Sequence, residues 1–350
     1  MANEIIFQQG NLSEEDGRIY GEYLNPIKMA LLHESDINTK KKGVLDYLFN
    51  VEKSKNSSEA TVGQRGFTTF EPKTEGAEAE YDTIENTYDK VIRHISFGKT
   101  FEITEEAASD AKWGLTTQMK RDAEEFVRSY YSTRHLIAEK ALANGNRESF
   151  TFGVKNPVAI DTSAPDGKPL FSNVHTYFND KLTGKQSNYF HGLDVSSIGA
   201  LEEQLGDLAH KISCFEDDNG EMTGYVADTI ILPGNCGKLI RMVKKIAGTE
   251  NALGSGNNDI NIQYGNWNIV VLPRWKATED ELMIMSREAN KSLKGNMFYQ
   301  RAPLSIKNFV DTKTRNLVYN GFARMGVGFN SWKHIIRARV NADGEKTTEL

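Results

Sequence analysis

At 350 residues, with 39% hydrophobic and 26% charged residues, the chain has enough apolar content to bury a sizeable core, which excludes wholesale disorder. No apolar run reaches the roughly 18 residues of a membrane-spanning helix, and the opening MANEIIFQQGNLSEED has neither a basic nor a long apolar stretch, so a cytoplasmic site of synthesis and no membrane partner are expected. Cys214 and Cys236 form neither a CxxC pair nor a disulfide framework, so no metal or other cofactor is expected.

Residues 1–64 read as an N-terminal arm. They hold an amphipathic helix around SEEDGRIYGEYLNPIKMALL, the basic run Lys40, Lys41 and Lys42, an apolar patch VLDYLFNV and the polar EKSKNSSEAT. None of these makes a core by itself, so the arm needs a surface to lie on. Residues 65–103 read as an extended hairpin loop. Ile95, Phe97, Phe101 and Ile103 share one parity, the period of a strand, and the two strand-like ends flank a tip with Glu71, Glu75, Glu78, Glu80, Asp82 and Glu85 against the single Lys73. A two-stranded hairpin with little to bury is marginal in water, so this one is expected to gain its order from a partner surface.

Thr104 has the character of a helix N-cap, and Glu105 with Glu106 complement the positive end of the helix dipole. Leu115, Met119, Ala123, Phe126, Tyr130 and Ile137 then keep helical spacing up to Gly145, which is expected in the left-handed region at the helix end. About 40 helical residues would span about 60 Å, with Gly114 as the place for a kink. A loop-rich stretch, 146–195, and a helix at 196–214 complete a unit over 104–222. Residues 223–290 alternate strand and helix: YVADTIILP, then CGKLIRMVKKIAG with Leu239, Ile240, Val243 and Ile246 inward, then NWNIVVLP and ELMIMS. That is a small α/β unit. Residues 291–350 return to strand patterns in RNLVYNGFARMGVGF and HIIRARV. Although the formal net charge is −6, residues 291–340 carry 10 Lys/Arg against the single acid Asp311. A basic block usually marks a solvated face, but this one is interleaved with apolar residues and reads as folded.

Four features invite a catalytic reading, and each has a plainer one. His175 in DGKPLFSNVHTY has no HxH or HxxxH partner and no Cys or Asp at ligand spacing, which favours a packed histidine. PGNCGKL lacks the GxxxxGK[ST] spacing of a phosphate loop and has Leu239 where the hydroxyl belongs, which favours a turn. Glu105 and Glu106 are helix neighbours pointing about 100° apart, so they do not face one site as an acid–base pair. Neither cysteine has the setting of a nucleophile. No enzymatic activity is expected.

The order of parts resembles the tailed-bacteriophage major capsid protein fold: arm, acidic hairpin, long helix, DGKPLFSNVHTY, an α/β unit entered at TIILPGN, then NWNIVVLPRW and a return. GKPLFSNVH in particular is similar to the Gly-x-Pro-Leu-Phe…His element of Mu-like major head subunits, and the likeness runs over roughly residues 60–340. It implies an α+β fold with an N-terminal arm, an extended loop lying on a neighbouring subunit, a peripheral domain built on the long spine helix, and an axial α/β domain meeting its copies around five- and six-fold axes. DGKPLFSNVHTY then serves as a structural clasp, with Asp166 and Gly167 turning the chain, Pro169 fixing its exit, and Leu170 and Phe171 anchoring it. The implied function is a structural shell protein, assembled in the host bacterial cytoplasm into the hexamers and pentamers of an icosahedral virion head around double-stranded DNA. The implied partners are further copies, a portal protein, a separate scaffolding protein in place of a fused and cleaved one, a decoration protein in some shells, and packaged DNA held without sequence preference. Arg301, Lys307, Lys313 and Arg315 are expected to include partners of the hairpin acids. Two other readings remain open: an encapsulin-like storage shell of the same fold, told apart by its neighbouring genes, and a small hydrolase using His175.

Overall fold

A computed structural model describes residues 5–41, 43–79, 81–110, 115–179, 182, 184–249 and 261–340. In chain order the elements are β1 (Ile5–Gln8), α1 (Glu14–Lys40), α2 (Val44–Leu48), β2 (Asn50–Lys53), β3 (Ser58–Arg65), β4 (Glu85–Arg93), β5 (Ile95–Ile103), α3 (Glu105–Asp110) and α4 (Leu115–Ala143). There follow β6 (Ser149–Phe152), β7 (Val158–Asp161), β8 (Tyr189–His191), α5 (Ile198–Ser213), β9 (Thr229–Pro233), α6 (Gly237–Gly248), β10 (Asn268–Leu272), β11 (Glu281–Met285), α7 (Arg287–Ser292), β12 (Asn296–Val310), β13 (Leu317–Phe329) and β14 (Ile335–Arg339).

The frame is a long sheet in the order β1-β12-β13-β5, with β2 also on β12. One edge of β12 carries two short parallel strands: β2 pairs with Met297–Gln300 and β1 with Leu304–Lys307. Between them the β12–β13 register shifts at Gln300/Ala302 and again at Ala302/Ser305. Pro303 lies in that interval and has no N–H to give to a ladder, so the sequence itself sets where the strand is irregular. On β5, Ile95, Phe97 and Phe101 are half-buried and Ile103 is buried, as the period of two predicts. The strand pairs with β13, however, and not with the other arm of a hairpin. The hairpin is instead β3 against β4, and the irregular residues 66–84 join them. The division follows from burial, because the apolar face of β5 finds a core only on the long sheet.

Helix α4 crosses this sheet. Phe126 meets Phe101 at 5.0 Å between ring centroids, and Phe101 stacks on Tyr319 at 4.8 Å. Across its 29 residues the helix is about 43 Å long at 1.5 Å per residue. Thr104 caps α3 through a hydrogen bond from the Ala107 N–H to its Oγ1 at 3.3 Å. The kink expected at Gly114 lies outside the described residues. Gly145 is not in the left-handed region. Its N–H donates to the Leu142 carbonyl, and a Cβ there would stand 2.8 Å from the Phe171 ring, so glycine is required by close approach and not by a helix cap.

Residues 5–41 and 43–64 do not hang free. Ser13 caps α1, which runs past Pro26 to Lys40 and lies along α4 with Tyr20, Ile27 and Leu31 fully buried. The Tyr20 hydroxyl donates to the Arg315 carbonyl at 2.7 Å and that of Tyr23 to the Ala108 carbonyl at 3.1 Å. The surface that this segment needs belongs to its own chain.

The second sheet has the order β10-β9-β11-β14-β8, with α5 and α6 packed in the same core. Strands β9 and β11 are buried throughout, which accounts for their largely apolar runs TIILP and ELMIM, each opening on one buried polar residue, Thr229 and Glu281. Ser197 caps α5 by accepting from the Ala200 N–H at 3.1 Å. PGNCGKL is a strand–turn–helix corner whose Lys238 Nζ donates to the Val195 carbonyl. Strands β14 and β8 enter this sheet from outside 223–290, so of the returning strands only β12 and β13 build the long sheet.

Candidate functional site

The acidic tip is exposed along its described length except at Asp82, which is half-buried. Phe70 is fully exposed, Tyr81 is 94% exposed, and Glu71, Glu75 and Glu78 reach no cation among the described residues. Lys73 donates to the Ala77 carbonyl at 3.0 Å and closes a local turn. Glu80 lies outside the described residues. Asp82 works within its own loop, accepting from the Thr68 N–H at 2.7 Å and the Thr68 hydroxyl at 2.9 Å. These bonds hold its carboxyl below the usual carboxylate range. Arg65 reaches Glu85 at 3.4 Å and Asp82 at 3.9 Å, pinning the base of the loop.

The four basic candidates fall at different places. Arg301 is half-buried at the irregular part of β12 and its Nε has no hydrogen-bond partner. Lys307, further along β12, and Lys313, in the turn to β13, are exposed. Arg315 adopts φ +59° and reaches Glu15 at 3.2 Å and Glu105 at 3.1 Å. Its guanidinium thus holds α1 and α3 of its own chain, as Lys333 holds Asp218 and Lys294 holds Glu52. Part of the basic block therefore answers acids brought in from distant sequence, a pairing that composition alone does not reveal.

DGKPLFSNVHTY is built as a clasp. Gly167 turns the chain at φ +75°, and Leu170 and Phe171 are buried. The His175 ring has no exposed surface and stacks on Trp332 at 4.3 Å with 5° between planes. Its Nδ1 lies 2.6 Å from Asp166 Oδ2 and its Nε2 3.1 Å from Asn188 Oδ1. Asn188 is the centre of the arrangement. Its Oδ1 also accepts from the Ser172 N–H, while its Nδ2 donates to the carbonyls of Leu170, Ile335 and Trp332. With both ring nitrogens engaged and the ring closed to solvent, His175 holds the loop against the turn before β14. The sequence drew attention to the histidine and not to Asn188, since an asparagine in a polar loop carries no signal until its partners are in place.

Burial and neighbouring Asp280 push the Cys236 thiol up to about 11, which keeps it protonated and unreactive. Among the described residues no group of His, Cys, Asp and Glu is placed to hold a metal ion.

No protein-family model and no curated protein matches the chain. Solved structures do. The capsid of the native GTA particle is 13% identical, with 86% of this chain and 93% of that one covered at a TM-score of 0.51. The capsid of the cyanophage P-SCSP1u is 12% identical, with 87% and 89% covered at a TM-score of 0.50. At such identities the likeness speaks for the backbone alone: the chain has the α+β fold of these phage and GTA capsid proteins.

Proposed function

We propose that this chain is the structural subunit of a closed shell, a major capsid protein that assembles with copies of itself into hexamers and pentamers around double-stranded DNA in a tailed-phage or prophage head. The observation that carries the reading is the loop 66–84, which projects three exposed aromatic side chains, Phe67, Phe70 and Tyr81, and the carboxylates of Glu71, Glu75 and Glu78, which meet no cation among the described residues. Exposed apolar surface of that kind is costly on a protein that works alone and useful on one that meets neighbours. The capsid fold supports the same conclusion.

In this reading residues 66–84, carried on β3 and β4, supply the loop laid on the next subunit, while β5 with most of 104–222 and of 291–350 forms the peripheral domain and 223–290, with β8 and β14, the axial domain. The GKPLFSNVH clasp favours the Mu-like branch. A separate scaffolding protein and a portal protein complete the head in the bacterial cytoplasm, and a decoration protein is the remaining candidate partner. Contact with DNA is directed at phosphate and insensitive to sequence, so it weakens steeply with salt. Expression with and without a scaffold candidate, followed by sizing and electron microscopy, tests the proposal. Closed megadalton particles are expected. A strictly monomeric protein under every condition, scaffold and crowding salt included, would refute it.

A further inference from the structure

The face of α4 that lies over the long sheet does not close completely. On β5 the parity of Ile95, Phe97, Phe101 and Ile103 is interrupted at Lys99, and on β13 the facing position is Gly321, where a Cβ would stand 2.5 Å from the Phe126 ring. Opposite them α4 presents Ser129 and Thr133, whose hydroxyls turn back to the carbonyls of Phe126 and Ser129 at 2.9 and 2.8 Å. The outcome is an open cleft of about 120 Å³ walled by Phe97, Phe126, Tyr130, Leu304 and Met325. Lys99 stands at its mouth and donates to Ser129 Oγ at 3.3 Å. No carboxylate is within ion-pair distance of Lys99 among the described residues.

A cavity of about 150 Å³ lined by apolar side chains holds a benzene ring, so this cleft has the size for one phenyl group open at one side. The same chain carries one such group in search of cover. Phe70 is fully exposed, whereas Phe67 is 61% exposed and its carbonyl accepts from Asn219 at the base of the loop. Tyr81 would bring a hydroxyl into a cleft whose hydroxyls are already engaged. Next to Phe70 stands Glu71, exposed and unmatched, the charge that Lys99 lacks. We propose that the ring of Phe70 from one copy seats in the cleft between α4 and the long sheet of a second copy, with Glu71 meeting Lys99 at its mouth. This rests on the shell reading above and gives the loop a specific anchor.

Because Phe70 is fully exposed among the described residues, F70A leaves the fold intact, and its thermal midpoint should match that of the parent. Its assembly threshold, measured by sedimentation velocity across a concentration series, is expected to rise at least tenfold. In a C214S background, oxidised particles carrying F70C and S129C should run as a covalent ladder on a denaturing gel, and particles with either cysteine alone should not. Assembly of F70A at the parent concentration, or particles of the double variant that stay uncrosslinked, would overturn the proposal. Deleting residues 67–83 separates the two levels. If the deletion blocks assembly while F70A does not, the cleft is wrong and the shell reading stands. If particles survive the deletion as well, the loop has no part in assembly.

Discussion

Replacing Asn188 by alanine tests whether the clasp is what fixes the loop-rich region to the rest of the chain. Asn188 has no exposed surface, so water cannot take over its bonds. The substitution strands the Ser172 N–H, the His175 Nε2 and the Leu170 carbonyl, which sit 2.9, 3.1 and 2.8 Å from the lost amide. At about 1–3 kcal/mol for each buried group left unpaired, and with some local relaxation, the cost is on the order of 3–6 kcal/mol, above the range of most single substitutions. N188D should do no better despite its equal size, because the carboxylate would set a second oxygen against the carbonyls of Leu170, Ile335 and Trp332. The measurement is the urea midpoint of the unassembled subunit, read by tryptophan fluorescence because Trp332 stacks on His175. An N188A protein within 1 kcal/mol of the parent, or a fully stable N188D protein, would show that the network is incidental.

Arg337 donates twice to Glu281, at 2.9 and 2.7 Å, and once to the Ala143 carbonyl at the end of α4. R337M leaves a buried carboxylate uncompensated and should cost about 3–5 kcal/mol, most of it recovered in the double variant with E281Q, as denaturation midpoints would show. Burial holds the His334 imidazole down to about 3, against 6.5 for a free histidine, and burial also lowers His94 and His135. A depressed histidine contributes its full stability above pH 6.5 and loses it as the pH falls toward 3, so stability should drop by about 1.4 kcal/mol per pH unit for His334 alone. H334Q should flatten that slope in a midpoint series from pH 7.5 to 4.5. Reversing exposed Lys307 and Lys313 to Glu should block assembly and leave the fold intact, with partial recovery when hairpin acids are changed to Lys. Reversing Arg315 should instead lower stability, since it ties Glu15 and Glu105. Normal particles that fail only to retain DNA would move the two lysines to the inner wall.

What could be read in advance was local. The parity of β5, the cap at Thr104 and the strands β9 and β11 each follow from a few adjacent residues. What could not be read was pairing over long separation. Nothing in IIFQ or NVEK names β12 as a partner some 300 or 250 residues away, and four-residue strands carry too little periodicity to be seen. Helix α1 was legible only for its first two thirds, because Pro26 and the polar HESDINTK weaken the pattern that its packing on α4 overrides. In the site, the exposed carboxylates could be found by counting, but Lys99 and Gly321 became a cleft only once β5 and β13 were side by side.

Strand β14 sits between β11 and β8, and among the described residues β8 has no other strand beside it. Its residues leave the ribosome after those of every other described element. Until then β8 has nothing to pair with, and until Trp332 emerges the clasp lacks the ring on which His175 stacks. The small sheet is therefore completed from its interior by a strand made after every other described element, so it cannot close until Ile335–Arg339 has emerged. An interrupted chain ending before Ile335 lacks that strand altogether, so the order of translation itself acts as a filter that keeps chains without it out of the folded pool.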